Sequence, residues 1–437
     1  MHSTKYLSKI MDEMPIGPYH KKLLAISGAG FSFTSMEVFV IAFTLPLLIS
    51  SWNLDPAAAG FLGSASLLGM LIGSYLWGYI SDRWGRKASF ELTILFYSIF
   101  TGLSAFAPNY EVLFLLRLLT GVGLGGCLTV DTAMLSENIP SKHRGRYMVL
   151  LDAFWPFGQI LATALAFFIL PDWRMLFLVA AFPALFVALL RRFVYETPFF
   201  LAKQGRMDEL KKTLDKILIQ NKTPMQYSLP AKPEEEKEGT HSYLELFGRK
   251  FRKDSLAIAL LWISLNFGYY GIFIWLPGIF ASLGYSSIEL YTYILITAVV
   301  QFPGYFSAAY LVDKIGRKKT LLLYLFLSGI FALSFGMVHD TLSMLITISL
   351  MSFFCLGAWG AVYAYTPELF PTHLRAKGMG WADGTGKIAA IFSPQIAGIL
   401  MAQYSLFIAL LVLGGSFVLG AVSLFILGRE TKGEAFE

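Results

Sequence analysis

Cysteine and histidine are scarce in this chain, and their scarcity excludes several kinds of site. Of 437 residues only two are cysteine and six are histidine. Cys127 and Cys355 both lie in apolar runs, without a partner at the spacing of a disulfide framework or a zinc site. Cysteines in such surroundings most often serve packing alone. We therefore expect no metal and no other cofactor.

Charged residues are also few, which excludes an ordinary soluble protein. They make up 15% of the chain, against 56% hydrophobic residues, whereas soluble domains have roughly 25% and 45–50%. Apolar runs of about twenty residues recur, each long enough to cross a bilayer core of about 30 Å. The sequence therefore predicts an all-α, polytopic membrane protein. The net charge of +6 is explained by basic cytoplasmic loops, and no basic stripe interleaved with aromatics indicates nucleic acid.

Catalytic constellations are missing as well. We find no pair of carboxylates, histidine cluster, nucleophile triad or phosphate-binding glycine loop in a plausible pocket, so we do not expect an enzyme. A membrane receptor without transport activity would need a larger soluble signalling domain than the central insert offers.

Twelve apolar spans are predicted, six on each side of a polar insert. The predicted organisation is a cytoplasmic segment 1–22, a six-helix bundle 23–194, an insert 195–254, a second six-helix bundle 255–427 and a tail 428–437. In the insert, apolar residues at helical spacing predict one or two amphipathic helices, which pack on the membrane surface or on the protein. The following stretch 222–240, rich in Pro, Glu and Lys, is typical of a flexible linker. The residues at helical spacing are Leu201, Leu210, Leu214, Ile217 and Leu218.

The basic residues predict the orientation in the membrane. Lys and Arg gather in the loops after the second, fourth, eighth and tenth spans, whereas the intervening loops are acidic and contain one strong base, Arg174. Because cytoplasmic loops collect basic residues, both termini and the insert are predicted to be cytoplasmic.

The two halves carry a sequence repeat at an offset of 231 residues. Asp82, Gly85 and Arg86 of SDRWGRK correspond to Asp313, Gly316 and Arg317 of VDKIGRK. This duplication is typical of secondary transporters whose substrate site lies near the bilayer midplane between the halves. We interpret the repeated charges as a cytoplasmic gate; the alternative is that they only satisfy helix ends. The same offset pairs Glu137 with Glu368, Arg144 with Arg375 and Asp152 with Asp383, and Arg83 lies in the first loop.

Several motifs together resemble the major facilitator superfamily. They are GYISDRWGRK, RLLTGVGLGG, YETPFFL with Glu196, and GRETKG with Glu430, the last two similar to signatures of sugar porters. VLLDAFWPFGQ, YYGIFIWLP, LGAWGAVYAYTPELFPT and GKIAAIFSP look most like bacterial niacin (nicotinate) permeases, which stand near synaptic-vesicle and organic-ion transporters. The resemblance implies twelve helices and adds Glu196 and Glu430 to the gate. Glu37, Asp152, Gln159 and Lys387 depart from the residues usual at their positions, which leaves the substrate open.

Two charges in the first half are predicted to meet inside the membrane. Glu37 lies 14 residues past Leu23 and Arg117 lies 5 residues past Val112, so at about 1.5 Å per residue both reach nearly the same level from opposite sides. They match the acid and arginine that couple proton movement in sugar porters, which implies a proton switch. The alternative is a static buried ion pair.

A lysine without a counterpart in the first half is predicted to bind the substrate. Lys387 lies near the midplane, where its symmetry mate is Pro156. Its ammonium needs a partner, either Asp383 one turn earlier or the carboxylate of an anionic substrate. Asp152 and Asp383 lie nearer the inner ends and are interpreted as inner-gate residues. The other candidates for the site are aromatic walls and polar side chains, with Asp383 counted here as well: Phe154, Trp155, Gln159, Asn266, Tyr269, Tyr270, Gln301, Trp359, Tyr363 and Asp383.

The sequence as a whole predicts a proton-coupled symporter that imports a small organic anion by alternating access. An aromatic monocarboxylate such as nicotinate fits one lysine and flat walls. The alternatives are a proton-coupled sugar or polyol symporter and a facilitative uniporter. We expect a monomer in the cell membrane, with lipid and protons as its other partners.

Overall fold

Every regular element of the described chain is a helix. The computed structural model describes residues 2–186, 193–223, 227, 229 and 243–432. The first half contains α1 His2–Glu13, α2 Pro18–Trp52, α3 Pro56–Trp84, α4 Arg86–Ser104, α5 Tyr110–Asn138, α6 Ser141–Asp152, α7 Trp155–Ile169 and α8 Trp173–Ala180. The insert contains α9 Pro198–Lys203, α10 Met207–Asn221 and a 3₁₀ turn, Tyr243–Phe247. The second half contains α11 Arg252–Ser282, α12 Ser287–Ile315, α13 Arg317–Phe335, α14 Thr341–Glu368, α15 Thr372–Gln403 and α16 Leu406–Leu427.

Ten of the described helical segments are long and apolar enough to cross a membrane. The third and sixth spans of the first half are occupied by the shorter α4 and α8; the predicted continuation of the sixth span, 187–192, lies outside the described residues. Large apolar side chains cover the outside of the bundles, for example Phe168, Leu419 and Phe425, which are 82%, 68% and 69% exposed. Such a surface suits lipid and not water.

Caps of the expected kind start the helices. The side chain of Asp55 accepts a hydrogen bond from the Ala58 amide at the start of α3 (2.8 Å), and Asn109 does the same for Val112 at the start of α5 (3.1 Å). Each satisfies an amide that has no partner within its helix. The fifth span differs from the prediction of one continuous helix. It breaks into α6 and α7 directly before Pro156, because proline has no N–H to donate the backbone hydrogen bond that a continuous helix requires.

Glycines let α3 and α5 approach each other backbone to backbone. A Cβ atom at Gly73 would overlap the carbonyl of Val122, and one at Gly121 would overlap the carbonyl of Ser66. In a membrane the hydrophobic effect does not drive helices together, because lipid is as apolar as their side chains. Helices associate there through close van der Waals packing, which small residues permit. The first half thereby holds α5, which carries Arg117, at a fixed place beside its neighbours.

The N-terminal segment and the insert pack against each other. The segment 1–22, expected to be a polar stretch, contains the helix α1, whose Leu7, Ile10 and Met11 are buried. In the insert, the five apolar side chains at helical spacing are also buried within the protein. Asn221 of α10 accepts a hydrogen bond from the Tyr19 amide at the start of α2 (3.0 Å). The helices of the insert therefore dock on the protein; most of the linker 222–240 lies outside the described residues.

Candidate functional site

A cavity of about 60 Å³, partly open to solvent, lies between the two six-helix bundles. Both halves contribute to its wall, since α2, α3, α5, α6 and α7 face α11, α12, α14 and α15. Lining residues that the sequence predicted for the substrate site are Trp155, Asn266, Tyr269, Tyr270, Trp359, Tyr363, Asp383 and Lys387.

Lys387 and Asp383 form an ion pair on the wall of this cavity. Both lie on α15, one helical turn apart, so their side chains share a face. The Lys387 ammonium donates a hydrogen bond to Asp383 at 2.7 Å, and the two side chains are 12% and 38% exposed. Asp383, the local partner of Lys387 considered in the sequence analysis, therefore forms the ion pair. Because Lys387 lines the cavity, a second anion can also bind to its ammonium there.

Asp152, which the sequence analysis assigned to the inner gate, lines the cavity. It is the last residue of α6, at the break before α7. Its side chain is 7% exposed, and Tyr305 of the opposite half lines the same cavity. Its Oδ2 atom has no hydrogen-bond partner among the residues the structure describes.

Aromatic side chains make up most of the remaining wall. The indole of Trp155 donates a hydrogen bond to the Tyr269 hydroxyl (2.6 Å), which joins the two halves. Trp359 packs edge-on against Trp262, with ring centroids 5.6 Å apart. Within the described chain the Trp359 indole N–H is buried without an acceptor, which is costly unless a ligand or water accepts its hydrogen bond.

Three of the predicted site residues do not line the cavity. The Gln301 amide donates to the Gln159 side-chain oxygen (2.7 Å), so these two amides bind each other across the interface between the halves. Phe154 packs against Phe157, with centroids 5.6 Å apart. The sequence analysis in turn missed Trp262 and Tyr305, which do line the cavity. Trp262 could have been found, since it lies one helical turn before Asn266.

Glu37 and Arg117 meet inside the first half, away from the cavity. The Arg117 guanidinium is 3.2 Å from Glu37 Oε2 and donates a second bond, of 2.8 Å, to the backbone carbonyl of Glu37. Thr101 donates to the same carboxylate oxygen at 2.8 Å. Both charged side chains are fully buried. The predicted contact between Glu37 and Arg117 is present. The other carboxylate oxygen of Glu37, Oε1, has no hydrogen-bond partner among the described residues.

The first gate motif forms a compact network of ion pairs and hydrogen bonds around Arg86. Arg86 contacts Asp82 at 2.8 Å and Glu137 at 2.9 Å. Glu196 accepts a hydrogen bond from the Arg86 amide at 2.8 Å. Burial raises the pKa of Glu196 even though these amide donors favour its charged form.

The second gate motif repeats this network in the other half. Arg317 contacts Asp313 at 3.5 Å and Glu368 at 2.9 Å, and its amide donates to Glu430 at 2.8 Å. The loop glycines Gly85 and Gly316 adopt nearly identical positive φ angles of 99° and 103°. Each network joins elements of its own half, so the two loops are built alike and are not bonded to each other by these contacts.

The other arginines predicted for the gate make different contacts. Arg144 donates to the carbonyls of Ser136 (2.9 Å) and Ile139 (3.4 Å), and Arg375 donates to the carbonyl of Pro367 (3.1 Å). They satisfy carbonyls at the ends of α5 and α14. Arg83 lies over the ring of Tyr79, 4.3 Å from its centroid.

Substitution of Gly85 by alanine is expected to lower transport roughly tenfold. The positive φ is unfavourable for alanine, at a cost of about 1–3 kcal/mol, and its Cβ would overlap the Glu196 carboxylate. The matched control is Gly78→Ala on α3, where the new Cβ would lie 3.8 Å from the nearest side chain, on Thr129. Uptake corrected for the amount of folded protein in the membrane measures the effect. Equal uptake by the two variants would show that this loop geometry has no role in transport.

Comparison with known proteins gives a family and a fold. The model of the family described as "Sugar (and other) transporter" matches residues 31–437. The niacin transporter NiaP of Acinetobacter baylyi is 36% identical over 430 residues, which cover 98% of this chain and 98% of that protein. A protein of Bacillus subtilis described as a putative niacin/nicotinamide transporter is 36% identical over 94% of this chain and 96% of its own length.

Solved structures agree on the architecture. The xylose transporter of E. coli, in a partially occluded inward-open conformation, superposes with a TM-score of 0.78 at 20% identity and covers 95% of this chain and 99% of its own. A proton:xylose symporter of the major facilitator superfamily gives a TM-score of 0.75 at 21% identity, over 96% and 98% of the two chains. At these identities the likeness concerns the fold alone, and it confirms the predicted all-α major facilitator fold of twelve spans.

Proposed function

The chain belongs to the sugar (and other) transporter family, and we propose that it carries a small organic anion together with protons across the membrane. It is thus a multi-pass membrane transporter and not an enzyme. The anion we propose is an aromatic monocarboxylate of the nicotinate type. The single observation that carries this assignment is the Lys387 ammonium on the wall of an otherwise largely aromatic cavity.

The chemistry of the cavity suits a flat ring with one carboxylate. Lys387 supplies a positive charge in a site of low dielectric, where a second anion gains more than in water. The unpartnered Trp359 indole N–H supplies a neutral donor, and Tyr269, Tyr270 and Tyr363 offer ring surfaces. The two relatives described as niacin transporters, at 36% identity, support the same substrate class.

Proton coupling is proposed for the buried pair in the first half. Glu37 is fully buried, and only one of its two carboxylate oxygens is bonded, to Arg117 and Thr101. The symmetry-related positions in the second half are Gly268 and Ile348, so the pair is not part of the repeated scaffold. Movement of α2 relative to α5 would change the Glu37–Arg117 separation and thereby favour or disfavour a proton on the carboxylate.

Alternating access is proposed to work through the two gate networks. Each network fixes a loop within its own half, so the halves can move as rigid units around the cavity between them. We further propose that the networks and both termini face the cytoplasm, that the carrier lies in the cell membrane and that it acts as a monomer.

The sugar or polyol symporter remains the second candidate, but one observation weakens it. Gln159 and Gln301 were the side chains that favoured a polyhydroxylated substrate. They bind each other outside the cavity, so they are not available to hydroxyl groups of a substrate there. Asn266 is the one amide side chain among the residues that line the cavity in the described chain.

Uptake by proteoliposomes tests the proposal. A monoanion carried with one proton moves no net charge, so nicotinate uptake is expected to rise with an inward proton gradient and to respond little to an imposed membrane potential. Radiolabelled nicotinate would be followed with each gradient applied separately. Indifference to the proton gradient would identify a uniporter, and uptake of xylose or a polyol in place of nicotinate would identify a sugar porter.

A further inference from the structure

The charges that face the cavity do not add up to those of a simple anion site. Lys387 is already neutralised by Asp383, with which it forms an ion pair of 2.7 Å. Asp152 lines the same cavity and brings a second carboxylate. With all three ionised, the cavity carries one excess negative charge, which is unfavourable for an anion that binds alone.

The environment of Asp152 leaves this second carboxylate incompletely satisfied. Its side chain is 7% exposed, and its Oδ2 atom has no hydrogen-bond partner within the part of the chain that the structure describes. No arginine or lysine of the described residues forms an ion pair with it. Burial of such a carboxylate is costly unless a ligand supplies a donor or a positive charge.

The two carboxylates line one cavity together with a set of aromatic rings. Tyr270 and Tyr363 are among the rings that line it with Asp152 and Asp383. The two acidic positions therefore belong to one small site. A ligand that spans this cavity would contact Lys387 with one end and Asp152 with the other.

The faces of these rings add a further attraction for a positive group. Tyrosine and tryptophan attract cations over their ring planes, by about 0.5–2 kcal/mol for each well-placed contact. Quaternary or protonated nitrogens are the cations that such aromatic sites recognise. Besides Lys387 and Asp383 on α15, the titratable residues that line the cavity with Asp152 are Tyr269 and Tyr270 of α11, Tyr305 of α12 and Tyr363 of α14.

We propose that the preferred ligands of this cavity are zwitterions, in which a carboxylate binds Lys387 and a cationic nitrogen binds Asp152 among the tyrosine rings. The inference rests on the proposed anion-binding role of Lys387 and extends it to the other end of the ligand. A ring that carries both groups, such as a pyridinium carboxylate, matches the charges of both ends. A carboxylate without the cation leaves Asp152 unsatisfied.

The test compares three ligands on purified, detergent-solubilised full-length protein. N-methylnicotinate carries a carboxylate and a fixed positive charge, benzoate carries the carboxylate alone and N-methylnicotinamide carries the cation alone. We expect calorimetry to show that N-methylnicotinate binds at least about tenfold more tightly than either of the other ligands. Each of those two ligands lacks one of its charge contacts.

The Asp152→Asn variant is expected to remove this preference. Asparagine keeps the size of the side chain and a hydrogen-bonding oxygen, but it lacks the charge. Binding of N-methylnicotinate should weaken about tenfold, and binding of benzoate should stay the same or tighten. The matched control is Asp340→Asn, at the N-cap of α14, where asparagine caps equally well and no ligand preference should change.

The outcomes separate this inference from the proposed function. Equal binding of benzoate and N-methylnicotinate by the wild-type protein, or a preference that survives in Asp152→Asn, would overturn the role of Asp152 alone. If neither carboxylate bound while N-methylnicotinamide did, the site would be a cation site and the proposed anion transport would fail with it.

Discussion

Replacement of Lys387 by alanine is expected to reduce nicotinate uptake about a hundredfold. A hydrogen bond to a charged group contributes up to about 3 kcal/mol, which corresponds to a factor of about 100 in affinity. The variant also leaves Asp383 in the cavity without its ion-pair partner, so the remaining charge repels an anion. Initial rates of labelled nicotinate uptake, at equal amounts of folded carrier, measure the loss.

Two further variants show whether the loss concerns the charge or the fold. Lys387→Arg keeps the positive charge and should retain a substantial part of the uptake. Asp383→Asn removes the internal competitor of the substrate, so its affinity for nicotinate should be equal to or higher than that of the wild-type protein. Normal anion uptake by Lys387→Ala would refute the assignment of this lysine to the substrate.

Glu37→Gln is expected to abolish accumulation of substrate against its gradient and to leave exchange across the membrane intact. Glutamine cannot take up and release a proton, so the carrier would no longer couple its movement to the proton gradient. The fold should persist, because Arg117 also donates to the backbone carbonyl of residue 37 at 2.8 Å. Proteoliposomes with an inward proton gradient measure accumulation, and preloaded proteoliposomes measure counterflow.

The matched control for Glu37→Gln is Glu111→Gln, at the exposed start of the helix that carries Arg117. This variant should accumulate substrate as the wild-type protein does. Uphill accumulation by Glu37→Gln would mean that the Glu37–Arg117 pair is a static structural contact. Loss of both accumulation and counterflow would mean that the carboxylate is needed for the conformational change itself.

Spacing and depth counted along single helices were enough to predict two contacts between charged side chains. Lys387 and Asp383 share a face of α15 through their spacing of four residues, and the structure brings them to 2.7 Å. Glu37 and Arg117 were expected at one level, and they are in contact. In both cases the rise of about 1.5 Å per residue was sufficient.

Spacing is not enough where the direction of a side chain depends on a partner from a distant part of the chain. Gln159 and Gln301, predicted for the substrate site, bind each other across the interface of the halves. Asp152 ends α6 at the break before α7 and lines the cavity. Neither the break nor the pairing leaves a periodic signal in the sequence.

By itself the sequence determined the membrane-spanning character, the duplication of the two halves and the repeated loop motifs, since each of these depends on composition or on local spacing. Only the tertiary structure decided which carboxylates face the cavity, which amides are withdrawn from it and where an indole N–H is left without a partner. These features depend on how helices from both halves pack and rotate against one another, and the packing is fixed by contacts between residues more than a hundred positions apart, such as Trp155 with Tyr269.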